Sequence, residues 1–224
     1  MNKSTIIEGR VFKWEEETIT YENTTLLDEE SGKELLFYVK NLFNSVNLPF
    51  YLAFGTLLGA VRNGSIIPGD EDLDVFVTDE EKLRRNLFFF RDQGLGLIRV
   101  REGQLYSFRI SSGAYIDVYI LRKLKFSLWS TYCYHLDQYN TPKKYFRSYQ
   151  NISFLGGDFM CPSNPEALLA FWYGDDWRIP QRGHDFKYEV ASAYYWKKGV
   201  FSIKTLIMKM IFWDKWKHLV KRAV

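Results

Sequence analysis

Little cysteine, little histidine and no long apolar run characterise this chain of 224 residues. The two cysteines, Cys133 and Cys161, form no Cys-x-x-Cys pair, and three histidines add too few further ligands for a structural zinc site. No stretch of about 18 uncharged apolar residues occurs, so a membrane-spanning helix is not expected. The opening residues, MNKSTIIEGR, lack the apolar core of a secretory signal. These absences make a reducing cytoplasm the expected location, with both thiols free and packed as small core residues. Repeats, low-complexity tracts and linkers are also missing, so residues 1–195 are expected to form one domain.

What the chain does have is aromatic side chains and an uneven charge. Tyr, Phe and Trp number 15, 18 and 7, enough to fill a core, to stack on sugars or bases, or to sit at a membrane interface. The net charge of +3 is unevenly placed. Residues 197–224 carry eight Lys/Arg and one Asp, a local +7, which leaves 22 basic and 26 acidic groups, a charge of −4, on the rest. On a helical wheel, Trp213, Trp216, Leu219 and Val220 share one side. Asp214, Lys215, Lys217, His218, Lys221 and Arg222 share the other. Residues 196–224 are therefore expected as a basic amphipathic helix, and 200–224 either meet an anionic membrane surface from the cytoplasmic side or pack on their own domain. A nucleic-acid partner is not expected, because the acidic body would not extend a phosphate-binding stripe.

Hydrophobic periodicity sets out the remaining elements. "VFKW" and "TITY" suggest a hairpin within residues 5–21, and Leu35, Leu36, Val39, Leu42, Phe43 and Val46 recur at helical spacing. "FYLAF" reads as a strand ending at Gly55, with a short helix opening at Thr56 and closing at Asn63-Gly64. "DLDVFV" is a strand, and "TDEEKLRRNLFFFRDQG" is a single helix capped by Thr78 or Asp79. "LGLIRVRE", "QLYSFRI" and "AYIDVYIL" are further strands. Residues 122–150 carry no clear pattern. "NISFLGGDFMCP" reads as a hairpin about Gly156-Gly157, and "NPEALLAFWYG" as a helix capped by Asn164 and closed by Gly174.

The stretch "FGTLLGAVRNGSIIPGDEDLDVFV" concentrates the chemistry. Four acids, Asp70, Glu71, Asp72 and Asp74, fall in a five-residue window where a buried strand begins. Carboxylates this close repel one another and resist burial, and a cation is the natural partner. Period two puts Asp72 and Asp74 on one strand face, with Leu73 and Val75 on the other. Asp117, in the middle of "YIDVYI", would join them if the two strands are neighbours, giving a hard-oxygen site for Mg²⁺ or Mn²⁺. Gly55 permits close backbone approach, and the free amides of the next helix, the Thr56 hydroxyl and Arg62 would hold phosphate. Each feature alone is ordinary, an acidic turn, a helix cap or a surface carboxylate; their conjunction is not.

Glycine-Thr followed 17 and 19 residues later by spaced acids, then by an acid on a later strand, resembles the nucleotidyltransferase fold. "GTLLGAVRNGSIIPGDEDLDV" further resembles the LicD/fukutin-type phosphotransferase family, whose members carry Gly-Thr-Leu-Leu-Gly-x-x-Arg and then Ile-Pro-Trp-Asp-Asp-Asp-Ile-Asp. "FMCPSNPEALLAFWYGDDWRIP" is similar to a later family segment, a Pro-capped helix ending in Tyr-Gly-x-x-Trp. Gly69 stands where the family usually has Trp, and Glu71 replaces an Asp, while Asp70, Asp72 and Asp74 are kept.

The resemblance implies an α+β fold, a nucleotidyltransferase-like mixed sheet flanked by helices, with the C-terminal amphipathic helix appended. It implies Mg²⁺- or Mn²⁺-dependent transfer of a phospho-alcohol, such as phosphocholine or ribitol phosphate, from a CDP-activated donor. The acceptor would be a hydroxyl of a surface glycan or its lipid-linked precursor. Asp72 and Asp74 would hold the metal, and Asp117 would complete its shell or take the acceptor's proton. Gly55, Thr56 and Arg62 would contact the donor phosphates. Asp70 would hold a second metal or a choline head, and Asp175 and Asp176 would lie near the substrate. Two other readings are a nucleotidyl or sugar-phosphate transferase on the same fold, and a non-catalytic membrane-associated binding protein.

Overall fold

A two-residue turn at Glu8 and Gly9, with φ of 48° and 77°, opens the fold. It joins β1 (Asn2–Ile7) to β2 (Arg10–Glu15) as an antiparallel hairpin, and its positive-φ pair matches the twist of the flanking strands. The computed structural model describes residues 1–19, 26–123, 133–136 and 139–180. "VFKW" thus pairs with the first residues of the chain and not with "TITY", whose Thr18 and Ile19 lie outside any strand and whose last two residues fall outside the described set.

Helix α1 (Glu29–Ser45) starts at Asp28, whose carboxylate accepts from the Ser31 N–H at 2.8 Å. Its buried stripe of Leu35, Leu36, Val39, Leu42 and Phe43 is the one expected from spacing. Strand β3 (Phe50–Leu52) follows and ends two residues earlier than expected. Ala53 is the cap of α2 (Phe54–Arg62), so Gly55 and Thr56 lie inside the first turn of that helix. Phe54 takes the turn at φ 33°, its ring packed between Tyr119 and Trp172 at centroid distances of 4.9 and 4.7 Å.

Strand β4 (Asp72–Val77) leads to α3 (Glu80–Arg85) and α4 (Leu87–Asp92). The single helix expected here is broken at Asn86, whose side-chain amide donates to the Lys82 carbonyl at 2.9 Å and competes with the backbone ladder. Strands β5 (Gly96–Arg101), β6 (Leu105–Arg109) and β7 (Tyr115–Ile120) complete the central sheet, in the order β3-β4-β7-β6-β5. The β4–β7 pair is parallel and the other three pairs are antiparallel, so this is the mixed sheet expected.

The unassigned region 122–150 contributes a small sheet of β8 (Arg122–Lys123), β9 (Cys133–Leu136) and β10 (Tyr139–Pro142), then a 3-10 turn over Lys143–Phe146. Strands β11 (Tyr149–Phe154) and β12 (Gly157–Pro162) form the expected hairpin, but its turn is Leu155-Gly156. Gly157 sits in the strand instead, where a Cβ would lie 2.5 Å from the Phe37 ring. Helix α5 (Pro165–Tyr173) has the expected caps: Asn164 accepts from the Ala167 N–H, and Gly174 ends it at φ 93°. The 1–195/196–224 boundary and the basic helix at 200–224 lie outside the described residues. Among the described residues no helix is long and apolar enough to cross a membrane. Cys161 is a buried free thiol, and burial pushes its pKa up to about 11.

Aromatic rings fix both faces of the central sheet. On one face Phe43 of α1, Phe50, Phe90 of α4 and Phe108 pack in series, at centroid distances from 5.1 to 6.2 Å. On the other, Tyr51 stacks on Phe76 and on Tyr149, and Trp172 donates its indole N–H to Thr141 Oγ1 at 3.0 Å. Helix α2 lies on this second face, held against the loop that feeds β4. A Cβ at Gly59 would come within 2.5 Å of the Ser65 carbonyl oxygen, a backbone atom that cannot turn aside. Gly59→Ala is expected to cost about 1–3 kcal/mol of stability by overpacking, measured by urea unfolding; an unchanged midpoint would show that the helix can slide freely along this loop.

Candidate active site

Parallel pairing of β4 with β7 sets Asp72 beside Tyr115, Asp74 beside Asp117 and Phe76 beside Tyr119. All six therefore share one sheet face, and Asp72, Asp74 and Asp117 each offer a carboxylate oxygen within 4.8 Å of the others. Asp74 and Asp117 are buried, while Asp72 is the least enclosed of the three. The convergence expected from the strand pattern is thus present.

Helix α2 is tied to this cluster by a reciprocal pair of hydrogen bonds. The Gly55 N–H donates to Asp74 Oδ2 at 2.9 Å, and the Asp74 N–H donates to Thr56 Oγ1 at 2.7 Å. Free amides at a helix N-terminus favour a carboxylate, and here the carboxylate is the site's own. A Cβ at Gly55 would sit 3.0 Å from Asp70 Oδ2 and 3.2 Å from Asp74 Oδ2, so glycine is what lets both acids close on the helix. Asp70 thereby becomes a fourth carboxylate at the rim. Arg62 lies at the far end of α2, where its Nε donates to Asn63 Oδ1 at 3.2 Å. Asp175 and Asp176 follow α5, with Asp176 Oδ1 3.1 Å from where a Cβ at Gly174 would lie.

Four further residues meet the cluster. Arg99 donates to both Asp117 oxygens, at 3.1 and 2.7 Å, and its Nε donates to Ser107 Oγ at 3.0 Å. The Ser107 hydroxyl donates to Asp117 Oδ1 at 2.5 Å, and the Tyr119 hydroxyl approaches Oδ2 at 3.4 Å. Tyr115 pairs with Asp72 across the β4–β7 register, and its side chain opposes the rise in the Asp72 pKa. Ser107, Tyr115 and Tyr119 could have been found by alternation, since they fall at period two around Asp117 on two adjacent strands. Arg99 lies on β5 just after the adjacent apolar pair Leu97-Ile98, where the period-two phase is ambiguous.

The electrostatics are those of a site short of positive charge. Burial, then Asp117 and Asp70, push the Asp72 carboxyl up to about 8. Burial and the same kind of repulsion hold Asp74 well above the usual carboxylate range, against the Gly55 N–H. Burial also raises Asp117, opposed by Arg99 and Ser107. Three hard oxygens this close, mutually raised in pKa and in part fixed by other groups, fit a small divalent cation.

The sequence profile of LicD/FKTN/FKRP, nucleotidyltransferase domain, matches residues 47–164, more than half of the chain and every element from β3 to β12. The chain belongs to this family. Among its LicD/FKTN/FKRP relatives, human "Ribitol-5-phosphate transferase FKTN" is 26% identical over 167 residues, which cover 70% of this chain and 35% of that protein. An uncharacterized protein of Rickettsia prowazekii, RP689, is 28% identical over 142 residues, covering 58% of this chain and 52% of that protein. The chain thus spans about a third of FKTN and about half of RP689. Similar solved structures include the lincosamide antibiotic adenylyltransferase LnuA bound to lincomycin, with TM-score 0.46, 15% identity and coverage of 80% of this chain and 99% of that one. Another is the antibiotic-resistance factor ANT(2'')-Ia, with TM-score 0.48, 13% identity and coverage of 88% and 98%.

The raised carboxyl pKa values predict a pH-dependent stability. Between the ordinary Asp value of 3.8 and about 8, the unfolded chain has ionised Asp72 while the fold still retains the proton. Stability is therefore full below the lower value and is lost as pH rises through the higher one. The thermal midpoint of metal-free protein is expected to fall from about pH 5 to about pH 8. Asp72→Asn should make that fall shallower; a wild-type midpoint that rises across the interval would contradict the electrostatics described.

Proposed function

We propose that this chain is a divalent-metal-dependent phosphotransferase that moves a phospho-alcohol from a CDP-activated donor to a hydroxyl of a glycan or its lipid-linked precursor. The observation that carries this reading is the set of three carboxylates, Asp72, Asp74 and Asp117, within 4.8 Å of one another on the face that α2 also serves. Family membership supports phosphoryl-group chemistry, and the activity named for the human relative puts ribitol 5-phosphate first among the donor groups to test.

In this reading Asp72 and Asp74 hold the ion and Asp117 completes the set. Bound there, Mg²⁺ or Mn²⁺ would neutralise phosphate charge and polarise the phosphoryl group. The residues of the chain supply the placement. Gly55 and Thr56 fix Asp74 from the helix side, Arg99 and Ser107 fix Asp117 from the sheet side, and Tyr115 steadies Asp72. Arg62 contacts donor phosphate, and Asp70, Asp175 and Asp176 contact substrate. The acceptor oxygen bonds to the phosphorus that bears the alcohol, and the bridging P–O bond breaks. CMP leaves with the electron pair, and the acceptor proton passes to a carboxylate oxygen of the cluster. The +7 carried by residues 197–224 would keep the chain against an anionic membrane face where lipid-linked acceptors reside.

A donor screen tests this reading. The full chain with Mg²⁺ is offered CDP-ribitol, CDP-choline, CDP-glycerol, CDP-ethanolamine and nucleotide sugars, and released nucleotide is read by mass spectrometry. CMP release from a CDP-alcohol is expected. Asp72→Asn or Asp74→Asn should abolish it with the fold intact, judged by circular dichroism. Nucleoside triphosphates are offered in the same screen; pyrophosphate release from one of them, or phospho-alcohol release from a CDP-alcohol, would move the assignment to nucleotidyl transfer, and full turnover by either variant would remove the metal site.

A further inference from the structure

Arg99 reaches the acidic cluster through an irregularity in its strand. On β6, Phe108 and Ser107 are successive residues, but their partners on β5 are Leu97 and Arg99, with Ile98 extra between them. Strict alternation would place Arg99 on the same face as Leu97, in the core shared with Phe108. The bulge reverses the phase, and Arg99 emerges on the opposite face, beside Ser107 and Asp117.

What Arg99 does there follows from the lone pairs of Asp117. A carboxylate has about four acceptor positions. Arg99 occupies one on each oxygen, and Ser107 occupies the second on Oδ1. The last position, on Oδ2, has only the long 3.4 Å approach of Tyr119. Ser107 is itself set by Arg99 Nε, so guanidinium, hydroxyl and carboxylate form a closed three-residue clasp. Ser107 is fully buried and Asp117 is 3% exposed, so both are shut off from bulk water.

We propose that Arg99, delivered by the β5 bulge, is a positioning residue that fixes the Asp117 carboxylate so that a single Oδ2 lone pair faces Asp72 and Asp74. The inference rests on the metal site proposed above. It assigns Asp117 a one-oxygen share in holding the ion and assigns Arg99 a geometric role beyond its charge. A lysine at this position would keep the charge but could not span both oxygens and Ser107 together.

The test is a Mn²⁺ titration of the full chain, with free ion followed by electron paramagnetic resonance. Arg99→Lys is expected to weaken Mn²⁺ binding by about tenfold or more, the range found when a group that orients a metal ligand is lost. The thermal midpoint should stay within a few degrees. In an Asp117→Asn background the same Arg99→Lys change should leave the Kd where Asp117→Asn alone puts it, because the role acts through that carboxylate. Wild-type affinity in Arg99→Lys, or an equal further loss without Asp117, would overturn the proposal. If Arg99→Lys does not fold, Ser107→Ala takes its place: a several-fold loss supports the clasp, and an unchanged Kd contradicts it. A wild-type chain that takes up no Mn²⁺ removes the metal reading and this inference with it. Wild-type binding with insensitive variants removes the inference alone.

Discussion

Like-charge repulsion inside a rigid sheet is the constraint around which this fold is arranged. The parallel pairing of β4 with β7 puts Asp74 directly beside Asp117, with Asp72 one register step away on the same face. Backbone hydrogen bonds fix those positions, so the carboxylates cannot separate as they would on a loop. In a buried setting their mutual repulsion is felt strongly, which is why protons are held to unusually high pH in the absence of a cation. A cation held among the three acids would relieve this repulsion.

The surrounding elements each act on one member of the cluster. The N-terminus of α2 addresses Asp74 through Gly55 and Thr56, the β5 bulge addresses Asp117 through Arg99 and Ser107, and Tyr115 addresses Asp72. Arg99 offsets one negative charge and the other groups carry none, so the cluster stays negative while they hold the carboxylates in place. The ring clusters on both sheet faces make that placement stiff. Phe43, Phe90 and Phe108 pack beneath the sheet, and Phe54 wedges between Tyr119 and Trp172 above it, so α2 and α5 cannot drift relative to β7.

Much of the site could be read from residue order because its determinants are local. Period two alone places Asp72 and Asp74 together, and an acid in the middle of "YIDVYI" signals a polar face on an otherwise buried strand. Apolar spacing marked α1 and cap residues marked α5 correctly, the latter at Asn164 and Gly174. Reading failed where the partner a residue finds decided the outcome: Asn86 splits α3 from α4 by taking the local Lys82 carbonyl, and Gly157 enters a strand at a place where Phe37, far off in sequence, leaves no room for a Cβ. Most instructive is Arg99: in "LGLIRVR" the adjacent apolar pair Leu97-Ile98 breaks the period of two, so the phase of Arg99 differs according to which of the two is counted from, and the pairing with β6 decides it. The trace a bulge leaves in periodicity is weak when the inserted residue is itself apolar.

The most direct measurement is crystallographic: anomalous scattering from crystals of this chain grown with Mn²⁺. The account predicts one strong peak within roughly 2–2.5 Å of oxygens from Asp72, Asp74 and Asp117, with the Arg99–Asp117 contact retained. A cluster without a peak, its acids bridged to one another by shared protons, would contradict it.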